Sequence, residues 1–458
     1  MNIRFKITTG LLASIRADLG RPHPFAMERV GFISTGMALG RGGLVLLAQE
    51  YRPVADEDYV RDNTVPVMMG PAAIRKAMQW ALTDKVGIFH VHTHGGTGVP
   101  MFSGIDLRES ASFVPSFLNV AAQRAHGAIV LSGDAARGQV WLSRDGAPTF
   151  ISEFVEVGAP IRKWGRVLHR SNGTRHERQT FLGPTSPHLL ADATIGVVGL
   201  GGGGSHIVQQ LAHVGVGGYV LVDPQAIEDT NTNRLVGGTL ADVEAQLRKV
   251  QIAERIIRGL IPEAHIFARA KPWHELVDEL RHCDVIVGAL DSYRERDQLE
   301  RFARRNLIAY VDVGMDIHDC GTQGHLISGQ VILSLPGHPC LRCCGFITDA
   351  RLEREAQRYG AAGAQPQVVW PNGLLASTAV GLIIQQITPW FPAPRPFVYL
   401  EYDGNRSTMV PAPYMRLFRD QVTCPHHPAD ETGDPFFVFD TSCRPTRHEA
   451  RCDVRVPI

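Results

Sequence analysis

Histidines occupy alternate positions in the run FHVHTH, and on a β-strand alternate side chains share one face, so His92 and His94 should point the same way. Asp106, further along the same segment, supplies a carboxylate. Two histidines and one carboxylate leave the fourth position of a zinc ion open to water, which is the arrangement found in zinc hydrolases. Ser103 could donate a hydrogen bond to a developing oxyanion. Upstream, Glu28 is a candidate general base that takes a proton from water.

A second chemical pattern is the glycine-rich run VVGLGGGGSH, in which Gly199, Gly201 and Gly204 have GxGxxG spacing. Glycines suit a tight turn whose backbone approaches phosphate oxygens, and the following helix begins with free N–H groups that meet the negative charge. Asp223 closes the next strand, YVLVD, at the spacing of a carboxylate that binds a ribose hydroxyl. A plain NAD-binding domain would account for these residues as well as an ATP-binding domain does.

Four polar residues further along the chain favour phosphate chemistry on ATP. Adenylation of a carboxylate brings two anions together, so the site needs cations and a metal ion. Arg234 and Lys249 supply positive charge, and Asn231 can donate to a phosphate oxygen. Asp291, at the end of the strand VIVGALD, would hold Mg²⁺. Taken singly, each has an ordinary explanation as a surface charge or a helix cap.

Taken together, DPQAIEDTNTNR, Lys249 and GALDSYRER resemble the ThiF/MoeB/HesA family of ubiquitin-activating-like enzymes, over roughly residues 171–430. The resemblance implies that this region uses ATP and Mg²⁺ to adenylate the C-terminus of a small ubiquitin-like or sulfur-carrier protein. It also implies a homodimer, in which Arg178 of the upstream run RHERQ reaches the triphosphate bound by the partner subunit.

The N-terminal set of Glu28, His-x-His and Ser-x-x-Asp resembles the JAB/MPN (JAMM) metalloproteases, over roughly residues 20–145. The resemblance implies cleavage of a peptide or isopeptide bond after a ubiquitin-like C-terminus. Gly95 stands where that family has proline, and the spacing to Ser103 is one residue longer; nearby glycines can absorb the insertion. Two alternatives remain: His90 replaces His92 as a ligand, or the domain is inactive and serves only to dock a partner.

Two ligand pairs predict a second, structural zinc ion, namely Cys340-x-x-Cys343 and Cys424-x-x-His427. The ThiF resemblance implies two Cys-x-x-Cys pairs at these places, so a histidine replaces one cysteine here. His426 and Cys344 are alternative fourth ligands. With the N-terminal site, we expect two Zn²⁺ ions per chain, one catalytic and one structural.

We expect two α/β domains to carry these residues. Residues 1–158 mix short apolar strands with helical stretches and predict a JAB/MPN-like mixed sheet. Residues 159–190 are polar and basic and are interpreted as a linker that contains the arginine segment RHERQ. In residues 191–430 strands and helices alternate from Thr194 onward, which predicts a Rossmann-like, doubly wound ThiF-type domain. Residues 431–458 are interpreted as a C-terminal tail.

The composition narrows the classes of partner. Lys+Arg and Asp+Glu are both 46, so the formal net charge of zero gives no reason to expect a nucleic-acid or anionic-membrane partner. No signal peptide or membrane span is apparent, and the crowded cysteines are more typical of metal binding in a reducing compartment. We therefore expect a cytoplasmic protein.

Together the two resemblances imply a bifunctional enzyme of a prokaryote-type ubiquitin-like conjugation system, which activates a modifier and processes or removes it. The alternative is a sulfur-carrier pathway that ends in a thiocarboxylate. A conjugating enzyme would be the further partner in the first case and a sulfurtransferase in the second. The resemblance to ubiquitin-activating enzymes implies that a thioester-forming cysteine would lie between the first zinc pair and the next apolar helix, and this segment contains no cysteine here. Cys320 has no evident activating group beyond His318. We therefore expect the reaction to stop at the acyl-adenylate.

Overall fold

The structure, a computed structural model, describes residues 1–40, 42–62, 66–165, 174–357, 366–416 and 424–439. These residues form two compact units. The first unit contains the described parts of Met1–Gly158 and Arg162–Val167, together with Ala429–Pro435. The second unit contains the described remainder of the chain.

The first unit is built around a nine-stranded mixed sheet in the order β7-β6-β5-β4-β2-β3-β1-β8-β9. The strand pairs β4–β5, β1–β3 and β1–β8 are parallel, and the others are antiparallel. Its elements are β1 (Ile3–Thr8), α1 (Thr9–Leu19), β2 (Val30–Gly40), β3 (Gly43–Pro53), α2 (Pro71–Asp84), β4 (Gly87–Thr93), α3 (Gly104–Phe117), β5 (His126–Leu131), β6 (Ala136–Trp141), β7 (Thr149–Phe150), β8 (Glu153–Val157) and β9 (Arg162–Trp164).

Alternating side chains give this sheet two apolar faces. On one face Ile3, Phe5 and Ile7 of β1 pack with residues of helix α1. A second apolar cluster joins Phe32 of β2 to Trp80 of helix α2 and to residues of helix α3. Because helices cover both faces, strand β4 with its histidines is buried in the middle of the unit.

The second unit has an eight-stranded sheet in the order β12-β11-β10-β13-β14-β15-β16-β17. The strands β12 to β14 are parallel in this order, and the last three are added antiparallel. The elements are α4 (Ser186–Asp192), β10 (Thr194–Val198), α5 (Gly202–Val214), β11 (Gly218–Val222), α6 (Leu240–Glu244), α7 (Lys249–Leu260), β12 (His265–Arg269), α8 (Val277–Leu280), β13 (Val285–Gly288), α9 (Tyr293–Arg305), β14 (Ala309–Asp319), β15 (His325–Ser334), α10 (Asp349–Gln357), α11 (Val369–Ile387), β16 (Phe397–Asp403) and β17 (Thr408–Pro411).

The strand order places a topological switch point at β10, because the chain moves to β11 on one side of it and to β13 on the other. In open α/β sheets, ligands bind beyond the carboxyl ends of the strands at such a point. The mixed sheet of the first unit and the Rossmann-like sheet of the second confirm the predicted α/β fold class.

The predicted linker at 159–190 contains regular structure where it is described: strand β9, the 3₁₀ helix Thr174–Leu182 and helix α4. The predicted tail at 431–458 begins with residues that pack on the first unit, where the side-chain amide of Gln49 donates to the carbonyl oxygen of Gly433 at 3.2 Å. Residues 440–458 lie outside the described part of the chain. Among the described helices, none combines the length and apolar character that crossing a membrane requires.

Candidate functional site

The glycine turn lies between strand β10 and helix α5. Gly199 has a φ of +90°, a left-handed conformation that glycine adopts without strain. A Cβ atom on Gly204 would overlap the carbonyl oxygen of Gly199, so the first turn of α5 packs directly on the loop. Gly201 precedes α5, and its side-chain position is open, with no heavy atom within 4 Å. The turn thus leaves the N-terminus of α5 accessible to a phosphate group.

Asp223, at the end of β11, is attached to that turn. Its Oδ2 accepts a hydrogen bond from the N–H of Leu200 at 2.7 Å, and its Oδ1 accepts one from Gln225 at 2.8 Å. The buried carboxylate therefore joins the turn after β10 to the turn after β11. Each oxygen keeps a second lone pair. The bond from a ribose hydroxyl stays a prediction.

The predicted cationic residues lie in the loop after β11 and on the helix that follows it. Lys249 is buried at the start of α7 and donates through Nζ to the side-chain oxygen of Gln225 at 2.6 Å. Arg234 is half-buried and donates to the carbonyl oxygen of Thr230 at 2.7 Å. Asn231 is buried, and its side-chain oxygen accepts from the N–H of Glu228 at 3.1 Å. These bonds hold all three residues near the carboxyl end of β11.

Asp291 lies three residues beyond the end of β13 and is exposed. Its Oδ1 accepts a hydrogen bond from the side-chain amide of Gln367 at 3.5 Å, and the carbonyl oxygen of Gln367 accepts from Asn233 at 3.1 Å. Strands β11, β10 and β13 are neighbours, so the carboxyl ends that carry Asp223, the glycine turn and Asp291 are adjacent. The structure therefore brings the predicted nucleotide-binding residues to one edge of the sheet.

Arg178 lies on the 3₁₀ helix Thr174–Leu182 and is exposed. Its neighbour Arg175 is fixed by bonds to the carbonyl oxygens of Leu260 and Ala212. Within the described part of the chain, the guanidinium of Arg178 makes no hydrogen bond or ion pair. A cation in this setting is available to an outside anion.

Three cysteines and one histidine form a compact cluster in the second unit. The Sγ atoms of Cys340 and Cys343 are 3.6 Å apart, and those of Cys343 and Cys424 are 3.4 Å apart. The Nδ1 of His426 lies 3.6 Å from the sulfur of Cys340 and 3.4 Å from that of Cys343. A tetrahedral zinc with Zn–S bonds of about 2.3 Å separates its ligand atoms by roughly 3.5–3.8 Å. The four side chains therefore fit a zinc ion.

The histidine in this cluster is His426, whereas we had predicted His427 and kept His426 as an alternative. The ring of His427 is directed instead toward the sulfur of Cys340 and the buried carboxylate of Glu300. Burial lowers the pKa of His427 to about 4, so its ring is neutral. Cys344, the other alternative, is buried beside the cluster, and burial raises the pKa of its thiol to about 12. The geometry thus favours His426, the alternative, over His427 as the fourth ligand.

Metal content will distinguish the two histidines. His426→Ala should remove one zinc ion per chain and lower the melting temperature on the order of 10 °C, because a structural zinc contributes directly to folding. The matched variant His427→Gln should retain that ion. Elemental analysis and thermal unfolding of the purified full chain provide the measurement. Zinc loss in His427→Gln with retention in His426→Ala would restore the original assignment.

The predicted N-terminal ligands also meet in space. The Nε2 atoms of His92 and His94 are 3.2 Å apart, and they lie 3.4 and 3.3 Å from the two carboxylate oxygens of Asp106. Zinc ligands at about 2.0–2.1 Å in tetrahedral geometry are separated by roughly 3.3 Å. The three side chains therefore fit a zinc ion with one open position.

Ser103 and Asp106 form a capping box at the start of α3. The N–H of Ser103 donates to Asp106 Oδ2 at 2.6 Å, and Ser103 Oγ accepts from the N–H of Asp106 at 3.1 Å. Burial tends to raise the pKa of Asp106, but the hydrogen bonds from His92 and Ser103 outweigh it, and the net pKa is lowered. A carboxylate held ionised suits a metal ligand. The oxyanion role of Ser103 stays a prediction.

His90, the alternative to His92, lies outside the cluster. Its ring stacks on His92 with centroids 5.4 Å apart, and burial lowers its pKa to about 3. Strand β2 pairs with β4 so that its first residue, Val30, faces His92. Glu28 is half-buried and lies two residues before β2, at the end of the sheet where the ligands lie.

The loop after His94 is held in place by its own contacts. Gly96 and Gly98 have positive φ angles of +94° and +81°. The N–H of Gly98 donates to Asp134 Oδ1 at 2.6 Å, and Ser132 Oγ donates to the carbonyl oxygen of Gly98 at 2.7 Å. The loop thus connects His94 to α3 with Nε2 of His94 lying 3.3 Å from Oδ2 of Asp106.

The residue patterns do not single out three residues near Asp291. Gln367 bonds to Asp291, and Arg296 and Asp312 form a buried ion pair behind it. Arg296 occurs in the same GALDSYRER run as Asp291, but nothing in the sequence distinguishes a buried guanidinium from a surface one. Asp312 interrupts the apolar part of β14 and could have been noted as a charge inside a buried strand. Gln367 has no sequence signal.

The parallel sheet, the glycine turn and the polar residues at the strand ends define the second unit as a Rossmann-like domain. The ThiF family profile matches residues 175–425, more than half of the chain, and the chain belongs to this family. The match leaves His92, His94 and Asp106 of the first unit outside its bounds.

Similar proteins include the SAMP-activating enzyme E1 of Haloferax volcanii, 30% identical over 176 residues, which are 37% of this chain and 60% of that protein. The tRNA threonylcarbamoyladenosine dehydratase of Escherichia coli is 32% identical over 143 residues, 29% of this chain and 50% of that protein. The chain thus spans about half to three-fifths of the length of these relatives. Among solved structures, MccB of E. coli with ATP aligns with a TM-score of 0.44 at 18% identity, over 53% of this chain and 72% of that one.

Proposed function

We propose that the second unit binds ATP with Mg²⁺ and adenylates the C-terminal carboxylate of a small ubiquitin-like protein. The observation that carries this proposal is the placement of the glycine turn, the cationic loop after β11 and Asp291 at three adjacent strand ends. Membership of the ThiF family supports it, as do relatives described as SAMP-activating and ubiquitin-like modifier-activating enzymes.

In the proposed reaction, a carboxylate oxygen of the modifier attacks the α-phosphorus of ATP, and the bond from that phosphorus to the pyrophosphate oxygen breaks. Pyrophosphate leaves with the bonding electrons, and an acyl-adenylate remains. Arg234 and Lys249 offset the negative charge that accumulates, and Asn231 orients a phosphate oxygen. Asp291 would hold Mg²⁺, which would supply further neutralisation of the phosphates.

The direct test is exchange of labelled pyrophosphate into ATP by the purified full chain. The carrier is a small β-grasp protein ending in Gly-Gly, and its control is the same protein without the two glycines. Exchange should require the intact tail. A separate reaction contains tRNA in place of the carrier, because one relative is a tRNA threonylcarbamoyladenosine dehydratase. Exchange with tRNA alone would contradict a protein tail as the substrate.

Conjugation and sulfur transfer share this first step and differ in the acceptor of the acyl group. Cys320 is exposed on the 3₁₀ turn between β14 and β15. The described part of the chain places no basic side chain in hydrogen-bonding contact with its sulfur, which contacts only the carbonyl oxygen of His318 at 3.8 Å. The proposal is therefore that the acyl-adenylate passes to an external thiol or sulfur donor, provided by a conjugating enzyme or a sulfurtransferase.

A second activity is proposed for the first unit, a zinc-dependent peptidase that processes or removes the modifier. The observation that favours it is the meeting of His92, His94 and Asp106 with one coordination position open. A zinc ion held there would supply Lewis acidity to water and to the scissile carbonyl group. Glu28 would accept the proton of the attacking water, and Ser103 would donate to the oxyanion. The competing interpretation is an inactive docking module.

If each active site is shared between the two subunits of a homodimer, two inactive variants should complement each other in a mixed dimer. Arg178→Ala and Asp291→Ala should each be inactive alone, yet mixed dimers should regain up to about half of wild-type exchange, because one of the two sites per dimer is then intact. The measurement is pyrophosphate exchange after the two tagged variants have been unfolded together, refolded and purified as mixed dimers. Absence of rescue in verified mixed dimers would contradict an arginine contributed by the partner.

A further inference from the structure

A buried ion pair lies directly behind Asp291. Arg296, in the second turn of α9, turns its guanidinium away from solvent, and its Nη1 lies 2.5 Å from Oδ1 of Asp312. Its Nη2 donates to the carbonyl oxygen of Leu290. Leu290 immediately precedes Asp291, so the guanidinium holds one end of the peptide unit that leads into the exposed carboxylate.

The groups around this ion pair donate hydrogen bonds to its carboxylate and leave space for its guanidinium. Asp312, on β14, is fully buried and also accepts from the side-chain amide of Gln330 at 3.2 Å and from the hydroxyl of Tyr310 at 3.3 Å. Gly314 lies next to these groups, and a Cβ atom there would overlap the guanidinium of Arg296 and come within 2.7 Å of the Gln330 amide. The strand therefore has a glycine where the guanidinium needs space.

Stability alone gives little reason for such an arrangement. A buried ion pair is often matched or exceeded in stability by apolar residues of the same volume, because both charges must lose their hydration. A role in the nucleotide site explains it better. Fixing the carbonyl oxygen of Leu290 fixes the plane of the Leu290–Asp291 peptide, and with it the direction in which the Asp291 side chain leaves the backbone.

We propose that Arg296 and Asp312 are positioning residues that orient Asp291 toward the divalent cation of the nucleotide. This inference rests on the proposed function, in which Asp291 is the ligand of Mg²⁺. The pair touches neither ATP nor the modifier; it acts through the Leu290 carbonyl group. Lysine cannot replace Arg296, because one ammonium group lacks the planar fork that reaches Asp312 and Leu290 together.

The test is the Mg²⁺ dependence of pyrophosphate exchange in Arg296→Lys, with Arg301→Lys on the same helix as the control. Arg301 lies over the ring of Phe437, at 5.5 Å from its centroid, and it is more than one helical turn further along α9 than Arg296. Arg296→Lys should raise the half-saturating Mg²⁺ concentration by roughly 10–100-fold, as loss of an outer-shell partner of a metal ligand does. Excess Mg²⁺ should restore most of the exchange rate, and Arg301→Lys should behave like the wild type.

A purely structural role predicts a different result, in which the melting temperature falls and the Mg²⁺ dependence is unchanged; that outcome overturns the inference. Gln330→Met removes one bond to Asp312 and keeps the ion pair, so it should fold and shift the Mg²⁺ dependence in the same direction by a smaller factor. An unchanged Mg²⁺ dependence in folded Gln330→Met together with unfolded Arg296→Lys would also overturn it.

Binding of a fluorescent ATP analogue separates this inference from the proposed function, because binding needs no modifier. If the wild type binds nucleotide in a Mg²⁺-dependent way but catalyses no exchange, the proposal of adenylation is wrong. The positioning role is then judged from nucleotide-binding titrations of the same variants. If Mg²⁺ has no effect on nucleotide binding by the wild type, the positioning role fails too.

Discussion

Replacement of Asp291 by alanine is expected to abolish exchange of pyrophosphate into ATP, with a loss on the order of a thousandfold or more. The carboxylate is exposed, lies beyond the end of β13 and faces the same sheet edge as the glycine turn. Without it, the metal ion that neutralises the phosphates loses a protein ligand. The attacking carboxylate then meets a triphosphate whose negative charge is offset by Arg234 and Lys249 but no longer by the metal ion.

The matched control for this variant is Glu254→Ala. Glu254 is a partly exposed carboxylate on α7 whose partner is Arg258, at 3.6 Å on the same helix. Surface pairs of this kind contribute little to stability, so exchange should stay at the wild-type rate. If Asp291→Ala keeps its exchange activity and its Mg²⁺ requirement, another group holds the metal, and the assignment of this strand end is wrong.

The sequence was sufficient for the general architecture of the second unit because its strands are short apolar runs separated by helices. The ends of its helices were harder to predict from the sequence. The residue pattern over 243–259 predicts a single helix, whereas helix α6 ends at Glu244 and α7 begins at Lys249. Gln246, with a φ of +50°, interrupts the helix between them. Its left-handed conformation has no signature in the residue pattern.

The side-chain partners were the least predictable part of the candidate site. Which of two adjacent histidines joins the cysteine cluster depends on the path of the backbone after Cys424, and spacing alone allowed both. The carboxylate of Asp223 was predicted to bind a ribose hydroxyl, and its bond to the N–H of Leu200 depends on how close β10 lies to β11. The N-terminal cluster was predictable because alternation on one strand and a capped helix start determine the ligand geometry locally.

Replacement of His94 by alanine is expected to reduce zinc from two ions to one per chain and to eliminate cleavage of a modifier fused to a trailing peptide. Within the described residues, His94 is one of three side chains that could hold that ion, and two remaining ligands bind zinc much more weakly. Pyrophosphate exchange should be unaffected, because the nucleotide-binding residues belong to the other unit.

The matched control is His90→Phe, which tests the alternative ligand at the same time. His90 is buried against Phe32 and Phe113, with ring centroids 5.8 and 5.6 Å away, so a phenyl ring suits the site. This variant should keep both zinc ions and its peptidase activity. Loss of zinc in His90→Phe with retention in His92→Ala would make His90 the ligand. A wild-type chain that holds both ions yet cleaves no modifier fusion would favour the docking module, since the geometry would then bind the metal without the acid–base groups acting on a substrate.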